Sequence, residues 1–419
     1  MKILYVSQYF PPEMGAPAAR AAELARHWAR AGHAVSVLTG FPNHPTGVVP
    51  AEWRSRLRKL TCHERIDGVD VFRTWLWPLP NRKAHERMRN YASFCISAAL
   101  RGLTLPRPDV IIASSPQLLV GLSGYWLAAL RRIPFVFEVR DLWPESLAAV
   151  GVGNQNSLLH RTLAAIAGFL YRNSSRIVVV TPAFKDYLID HWRVPAEKID
   201  VVENGVETDL FAPAPQSANE ALRLKLGAAS RFLVCYIGTL GMAHGLETLL
   251  DAASFLKHDN PEVLFLLVGE GAEKQRIRSI AEVRGLSNVH FLDQQPREQI
   301  PGLISASDAC LVLLKKTDVF KTVIPTKMLE FMSCARPLIL GVDGQARAIV
   351  EQAGAGLVIE PENSQALAEA VRKLAGDRAL GLNLGQRGRE YILANFSRGE
   401  TAGKYIRVLE SLLAGRTSL

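Results

Sequence analysis

Lys327 and Glu330 are the residues whose types and spacing most directly suggest chemistry. In the run Ile324-Pro325-Thr326-Lys327-Met328-Leu329-Glu330-Phe331-Met332, a proline-bounded loop opens straight into a helix, with the lysine in its first turn and the glutamate about one turn further in. A helix start carries partial positive charge and unpaired amide donors, so it holds phosphates. Thr326, Lys327 and the helix amides then suit a nucleotide diphosphate, and Glu330 can accept hydrogen bonds from two ribose hydroxyls. A plain helix start fits the same residues, with Thr326 as N-cap and an acid near a positive helix end. With Thr326 as cap, however, Glu330 lies one position beyond the reciprocal capping-box spacing, so the box does not account for it.

A second concentration of charge lies in Phe137-Glu138-Val139-Arg140-Asp141-Leu142-Trp143-Pro144-Glu145-Ser146, directly after an apolar strand-like run. Charges at the end of a buried strand either point into a cleft or pair with one another. Asp141 is the candidate to orient an attacking hydroxyl. Arg140 either holds an acceptor phosphate or pairs with Asp141 or Glu145, and Glu138 joins it on the acceptor side.

Three glycine-bearing loops complete the candidate site. In Pro11 to Arg20, Gly15 lets backbone approach a substrate and Arg20 can meet a phosphate, which puts it with Glu138 and Arg140 on the acceptor side, although a plain strand–helix connection fits equally well. Gly238-Thr239-Leu240-Gly241-Met242-Ala243-His244-Gly245 has more glycine than a simple turn requires, which puts Gly238 and Gly241 on the donor side. Gly269-Glu270-Gly271 repeats the arrangement after the next strand, with Glu270 as a further donor candidate. No G-x-G-x-x-G, no D-x-D triplet and no His/Cys/carboxylate cluster is present, so neither a dinucleotide cofactor nor a metal is expected.

These loops need a scaffold. Strand and helix signals alternate from Ile3 through Ala34 to Thr39, Val69 to Thr74, Asp109 to Ser114, Pro134 to Val139 and Arg176 to Val180. The pattern restarts at Phe232 to Ile237, Val263 to Val268, Val289 to Leu292, Ala309 to Leu314, Pro337 to Val342 and Gly356 to Ile359. An α/β protein follows: two Rossmann-like doubly wound parallel-sheet domains facing a cleft, with ligands beyond the carboxyl ends of the strands. The expected division is residues 1–205, residues 206–395, and a last helical segment, 396–419, crossing back to the first domain. A Pro/Ala/Ser-rich stretch from Phe211 to Asn219 reads as the linker.

Composition agrees. A chain of 419 residues exceeds what one core usually serves, and 48% apolar with 21% charged residues is globular. The five cysteines, Cys62, Cys95, Cys235, Cys310 and Cys334, show no C-x-x-C spacing and read as thiols in a reducing compartment. The amino terminus reads as a strand without a leader, and no apolar run reaches the roughly 20 residues of a spanning helix. A net charge of +9 favours an anionic partner, yet no nucleic-acid-binding pattern accompanies it.

Between Pro80 and Pro108, Arg82, Lys83, Arg87, Arg89, Arg101 and Arg107 interleave with Met88, Tyr91, Phe94, Ile96 and Leu100, and Arg54, Arg56, Arg58 and Lys59 stand beside Trp53. This pattern suits a segment lying on an anionic membrane surface. An amphipathic helix packed on its own domain has the same pattern.

Taken in order, YFPPEMGAPAAR with GHAVSVLTG, FEVRDLWPES, NGVETDLF, the GTLG loop, VGEG and PTKMLEFMSCARP resemble glycosyltransferase family 4 over essentially the whole chain. The pattern is closest to the WbuB-like subgroup of bacterial O-antigen and capsule enzymes. The resemblance implies a GT-B fold and retention at the anomeric carbon, with the departing phosphate itself taking the acceptor proton. It also implies that Glu330, the second glutamate of an E-x7-E motif, binds the donor ribose, that Gly15 and Gly241 lie near the donor phosphates, and that Asp141 falls near a catalytic-site His or Asp of many relatives. Three departures from the family pattern involve four positions: Thr322 replaces the first glutamate, an arginine and a lysine that grip the pyrophosphate would fall near Thr239 and His244, and Ala335 replaces a helix-ending glycine.

The reaction expected is transfer from a nucleotide diphosphate sugar, with a UDP-linked N-acetylated deoxysugar such as UDP-N-acetyl-L-fucosamine suggested by the resemblance. The acceptor is a lipid-linked saccharide, and the enzyme is expected in the cytoplasm, peripheral on the inner face of the plasma membrane. Lys327 and the helix amides would stabilise the departing diphosphate. Two rivals share the architecture: a nucleotide-sugar 2-epimerase and a noncatalytic nucleotide-sugar binding protein.

Overall fold

The computed structural model describes residues 1–44, 47–79, 84–146 and 157–417. Arg82 and Lys83 of the basic segment lie outside them. The chain divides into two compact units, residues 1–204 with the segment from Arg398 onward, and residues 205–397.

The first unit is built on an eight-stranded sheet of order β3-β4-β2-β1-β5-β6-β7-β8. Its strands are β1 Lys2–Val6, β2 Ala34–Gly40, β3 Thr61–Ile66, β4 Val69–Thr74, β5 Val110–Ser114, β6 Phe135–Val139, β7 Arg176–Val179 and β8 Ile199–Val201. All pair in parallel except β3 with β4. β3 was not expected from sequence: Thr-Cys-His-Glu-Arg-Ile has few apolar residues because it is an edge strand turned back antiparallel, with one face in solvent.

β1, β5 and β6 are almost wholly buried, as central strands covered by helices must be. Trp28, on the helix Ala16–Arg30, packs edge-on against Tyr5 and Tyr405, and its indole N–H donates to the Ala402 carbonyl at 3.2 Å. The last helix, Arg398–Thr417, is thereby tied to the first sheet. Arg398 Nε to Glu23 Oε2 at 2.8 Å, both buried, and Lys404 Nζ to Glu203 Oε2 at 2.8 Å reinforce it.

The second unit carries a six-stranded parallel sheet of order β11-β10-β9-β12-β13-β14. Its strands are β9 Phe232–Ile237, β10 Val263–Val268, β11 Val289–Leu292, β12 Ala309–Leu313, β13 Leu338–Gly341 and β14 Gly356–Val358. β9, β10 and β12 are buried along their whole length, and their alternate residues feed two apolar layers, one on each face.

The stretch Phe211 to Asn219 is not a linker. Phe211 is wholly buried in the second core, and Pro215 stands as N-cap of the helix Gln216–Lys225. Proline before a helix and proline in a linker look alike in composition; only the burial of Phe211 separates them.

The alanine at the end of the helix Thr326–Ser333 also behaves differently from expectation. Ala335 adopts φ +54°, so the left-handed cap forms without glycine. Its N–H donates to the Met332 carbonyl at 3.0 Å and that of Arg336 to Phe331 at 3.2 Å, the pair of bonds that closes a helix end. These bonds, in a buried segment, offset a left-handed penalty of about 1–2 kcal/mol.

Candidate active site

In the second unit the site grows from the carboxyl ends of β9 and β10. β9 ends at Ile237, and Gly238 turns the chain with φ +141°. The Gly238 amide donates to Val268 O at 3.0 Å and the Leu240 amide to Glu270 O at 2.9 Å, which locks the two glycine loops together. A carbon added at Gly269 would stand 2.0 Å from the Gly238 carbonyl oxygen, and one at Gly271 2.2 Å from that of Leu240. Gly269 and Gly271 are therefore required by backbone packing. Gly241 differs: its φ of −121° is extended and its surroundings would accept a side chain.

The helix Thr326–Ser333 enters beside these loops. Pro325, not Thr326, holds the N-cap position and no side chain caps the helix, so Thr326 is its first residue and its leading amides are left to other acceptors. Lys327 reaches back under the loop, its Nζ 3.3 Å from where a Gly238 side chain would begin and 4.0 Å from the centre of the Tyr236 ring. Tyr236 is fixed by its hydroxyl, which donates to the Thr239 carbonyl at 2.7 Å. Lys327 Nζ is shielded from solvent and has no hydrogen-bond partner among the described residues. Burial pushes this ammonium down to about 7, against the pull of the Glu330 carboxylate.

His244 cannot stand in for the lysine that the family pattern puts there. Burial and the nearby Lys327 push its imidazole down to about 3, so it is neutral, with Nδ1 3.3 Å from the Leu313 carbonyl. Lys327 is the cation of this loop cluster.

Glu330, with a side chain 12% exposed, pairs with Arg297 Nη1 at 3.1 Å, and the Arg297 guanidinium lies 5.0 Å over the Phe211 ring. Arg297 was not anticipated, because a pair 33 positions apart leaves no mark in a single sequence. Thr322 turns its hydroxyl to the Val319 carbonyl at 2.7 Å within its own turn. Glu270 engages Lys274, which also meets Asp293 at 2.6 Å, so its carboxylate is held on its own loop.

In the first unit, the expectation that Arg20 and Glu138 contact an acceptor is corrected. Both are wholly buried, joined by Arg20 Nη2 to Glu138 Oε1 at 2.8 Å and Nε to the same oxygen at 3.0 Å. Arg20 also donates to Glu203 O, Asn204 Oδ1 and Val202 O, and Glu138 accepts from Tyr5 and Ser114. Burial alone would raise the Glu138 carboxyl; Arg20 and Arg140, with these hydrogen bonds, hold it below the ordinary range instead. The pair is a strut beneath the site, with its hydrogen-bonding capacity already spent.

Arg140 and Asp141 stay at the edge, half-buried. The Arg140 amide donates to Ser115 Oγ at 2.7 Å, and its Nη2 reaches the Ala16 carbonyl at 3.4 Å, which joins the Asp141 segment to the Gly15 loop. Nε and Nη1 of Arg140 are shielded and have no hydrogen-bond partner among the described residues. Burial pushes Asp141 up to about 6, with Arg140 opposing.

Glu13 and the Tyr9–Tyr91 pair, whose hydroxyls are 3.4 Å apart, extend this edge. Burial pushes the Tyr91 phenol up, and the charge of Asp141 adds to the shift. Glu13 Oε1 accepts from the Asn43 and His44 amides, both at 2.9 Å, while Oε2 has no partner among the described residues, and burial pushes the carboxyl up to about 7. A lone acid between prolines and a glycine was the available sequence signal for it. Among the described residues no three His, Cys, Asp or Glu side chains are grouped as ligands for a metal ion.

Comparison with known proteins bears on the family and the fold. Residues 15–205 match the model of the glycosyl transferase 4-like domain and residues 219–391 that of glycosyl transferases group 1. The putative colanic acid biosynthesis glycosyl transferase WcaI of Escherichia coli K12 is 24% identical over 385 residues, 89% of this chain and 92% of the relative. Among solved structures, sucrose-phosphate synthase from Thermosynechococcus elongatus superposes with a TM-score of 0.78 at 21% identity over 99% of both chains. Anabaena HepE, in complex with UDP and glucose, gives 0.74 at 21% identity, covering 98% of this chain and 100% of its own. The chain is thus a glycosyltransferase of the GT-B fold, distantly related to several bacterial glycosyltransferases of the family 4-like kind.

Proposed function

We propose that the enzyme transfers a sugar, with retention at the anomeric carbon, from a nucleotide diphosphate donor to a hydroxyl of a lipid-linked saccharide in bacterial surface-polysaccharide synthesis. The observation that carries this reading is the unpartnered ammonium of Lys327, set beneath Gly238 at the start of an uncapped helix. A buried cation without an acceptor is costly, and an anionic diphosphate relieves that cost while meeting the free amides. Lys327 takes over the part that Thr239 and His244 cannot play, and leaves the ring of Tyr236 for the phosphates. Glu330 accepts the ribose hydroxyls, with Arg297 holding its other side.

As the diphosphate departs, its growing charge is stabilised by Lys327 and the amides of Thr326 and Lys327. The departing phosphate takes the acceptor proton, and ionised Asp141 orients the acceptor hydroxyl. UDP as the nucleotide is supported by the UDP bound to HepE. A role in surface-polysaccharide synthesis is supported by the colanic acid biosynthesis for which WcaI is named, and the acceptor is taken to lie at the inner face of the plasma membrane. The resemblance to WbuB-like enzymes favours an N-acetylated deoxysugar, with UDP-N-acetyl-L-fucosamine the first donor to test.

Labelled donor incubated with and without a membrane lipid extract tests the reading. Label moving into lipid supports it. An epimerised nucleotide sugar, or binding without turnover, overturns it in favour of the epimerase or the binding protein respectively.

A further inference from the structure

The helix Ala84–Leu103 buries Phe94, Ala98 and Gly102 but leaves Ile96 and Leu100 63% and 64% exposed, with Leu103 also outside. These three stand at i, i+4 and i+7, a single stripe. The helix Val120–Arg131 buries Gly124, Leu127 and Ala128 and exposes Trp126 and Leu130, one turn apart, at 54% and 64%.

The two helices lie side by side. A carbon added at Gly102 would stand 2.4 Å from Leu127 Cδ1, and Arg131 donates to the carbonyls of Leu103, Leu105 and Pro106 just beyond the neighbouring helix. Their outward stripes therefore form one apolar surface at the two C-terminal halves.

The charge around this surface is of one sign. From Arg87 to Arg132 the chain carries six arginines and a single acid, Asp109, whose carboxylate accepts from the Lys2 amide at 2.6 Å. Arg89, Arg107 and Arg132 are exposed. A second copy of the chain docking here about a two-fold axis would bring arginines against arginines. Anionic headgroups complement them instead, and Trp126 suits the boundary between headgroup and acyl chain.

We propose that the outward faces of these two helices together form one in-plane contact with an anionic lipid bilayer, into which Ile96, Leu100, Leu103, Trp126 and Leu130 insert. The contact is not confined to the basic helix evident in sequence; two of its five apolar side chains, Trp126 and Leu130, come from a helix with no acidic residue and arginine only at its end. The purpose of the contact rests on the proposed lipid-linked acceptor. The N-terminal half of the helix Ala84–Leu103 carries Asn90, which accepts from Gln8 at 2.6 Å, and Tyr91, whose hydroxyl lies 3.4 Å from that of Tyr9, so one element runs from the lipid surface to the loops of the acceptor edge.

The test is co-sedimentation of the full chain with vesicles of phosphatidylcholine alone or with 30% phosphatidylglycerol, for wild type and the double variant Leu100→Glu/Leu130→Glu. Wild type is expected to pellet with the anionic vesicles, less so in high salt. The double variant is expected to lose at least about tenfold in partitioning with an unchanged melting temperature, since both side chains are already in water. Brominated lipid should quench wild-type tryptophan fluorescence more than that of Trp126→Phe. Equal pelleting of wild type and variant overturns the proposal, and so does a concentration-dependent dimer that the variant abolishes while wild type ignores vesicles. Nucleotide-sugar binding in the same samples is read separately: vesicle binding without donor binding sinks the proposed reaction and leaves this surface standing.

Discussion

Lys327 holds its ammonium 4.0 Å from the centre of the Tyr236 ring and donates a hydrogen bond to none of the described residues. A cation over an aromatic face gains about 0.5–2 kcal/mol, less than a phosphate oxygen offers in a shielded site. The arrangement is a resting position, and the ligand that ends it should be an anion.

Lys327→Met is accordingly expected to weaken nucleotide-sugar binding by about 10–100-fold, the range of one hydrogen bond to a charged group, without loss of fold. Because the folded Lys327 titrates at about 7 rather than at its ordinary 10.5, the unfolded chain holds the extra proton between these values. Stability of the free protein should therefore rise with pH through that window, and donor affinity should fall. Calorimetry with a sugar nucleotide, whose diphosphate has no group titrating near neutrality, should find proton uptake on binding at pH 8 in wild type and none in the variant.

Glu330→Ala should weaken the donor by about 1.5–3 kcal/mol and abolish discrimination between ribose and 2′-deoxyribose nucleotides. Competition assays with the paired nucleotides measure this. A variant that still prefers ribose would remove Glu330 from the ribose role.

Asp141→Asn should leave donor affinity unchanged while lowering kcat by about 10²-fold or more, the lower range for a group positioned on a reacting proton. With the carboxyl pushed up to about 6, the wild-type rate should climb with pH through that value, and the variant should lack this limb.

Arg20 and Glu138 are expected to act through stability. Glu138→Ala strands a buried guanidinium and should cost about 3–5 kcal/mol in denaturant unfolding. Since the folded carboxyl lies below its ordinary 4.5, its contribution is present above that value and lost as pH falls through the folded one, so the gap between wild type and Glu138→Gln should narrow in acid.

Ala335→Gly should stabilise the second unit by about 0.5–1 kcal/mol, because glycine enters the left-handed region without the steric penalty that alanine bears there. Thermal unfolding reads the gain directly.

Much of this was legible in the residues because it is local. Apolar runs of four to seven residues broken by helical periodicity gave the buried strands, and Lys327 with Glu330 announced a helix start. What escaped depends on distance along the chain or on shielding. Arg20 in a glycine-proline loop reads as a phosphate ligand until Glu138, 118 positions away, is seen to occupy it. Gly269 reads like Gly241 until the Gly238 carbonyl is found against it. β3 escaped because an edge strand needs so little apolar surface, and Ala335 because chemistry disfavours but does not forbid its conformation.

The contact between the two glycine loops bears on how such an enzyme can acquire a new sugar. With Gly269 and Gly271 each pressed against a carbonyl of the neighbouring loop, substitution there forces the floor of the donor site apart. On the proposed reading that floor admits no side chain, and a change of donor sugar is expected to come from the surrounding loops, such as Lys315 to Ile324, where Lys315, Lys316 and Lys321 are exposed.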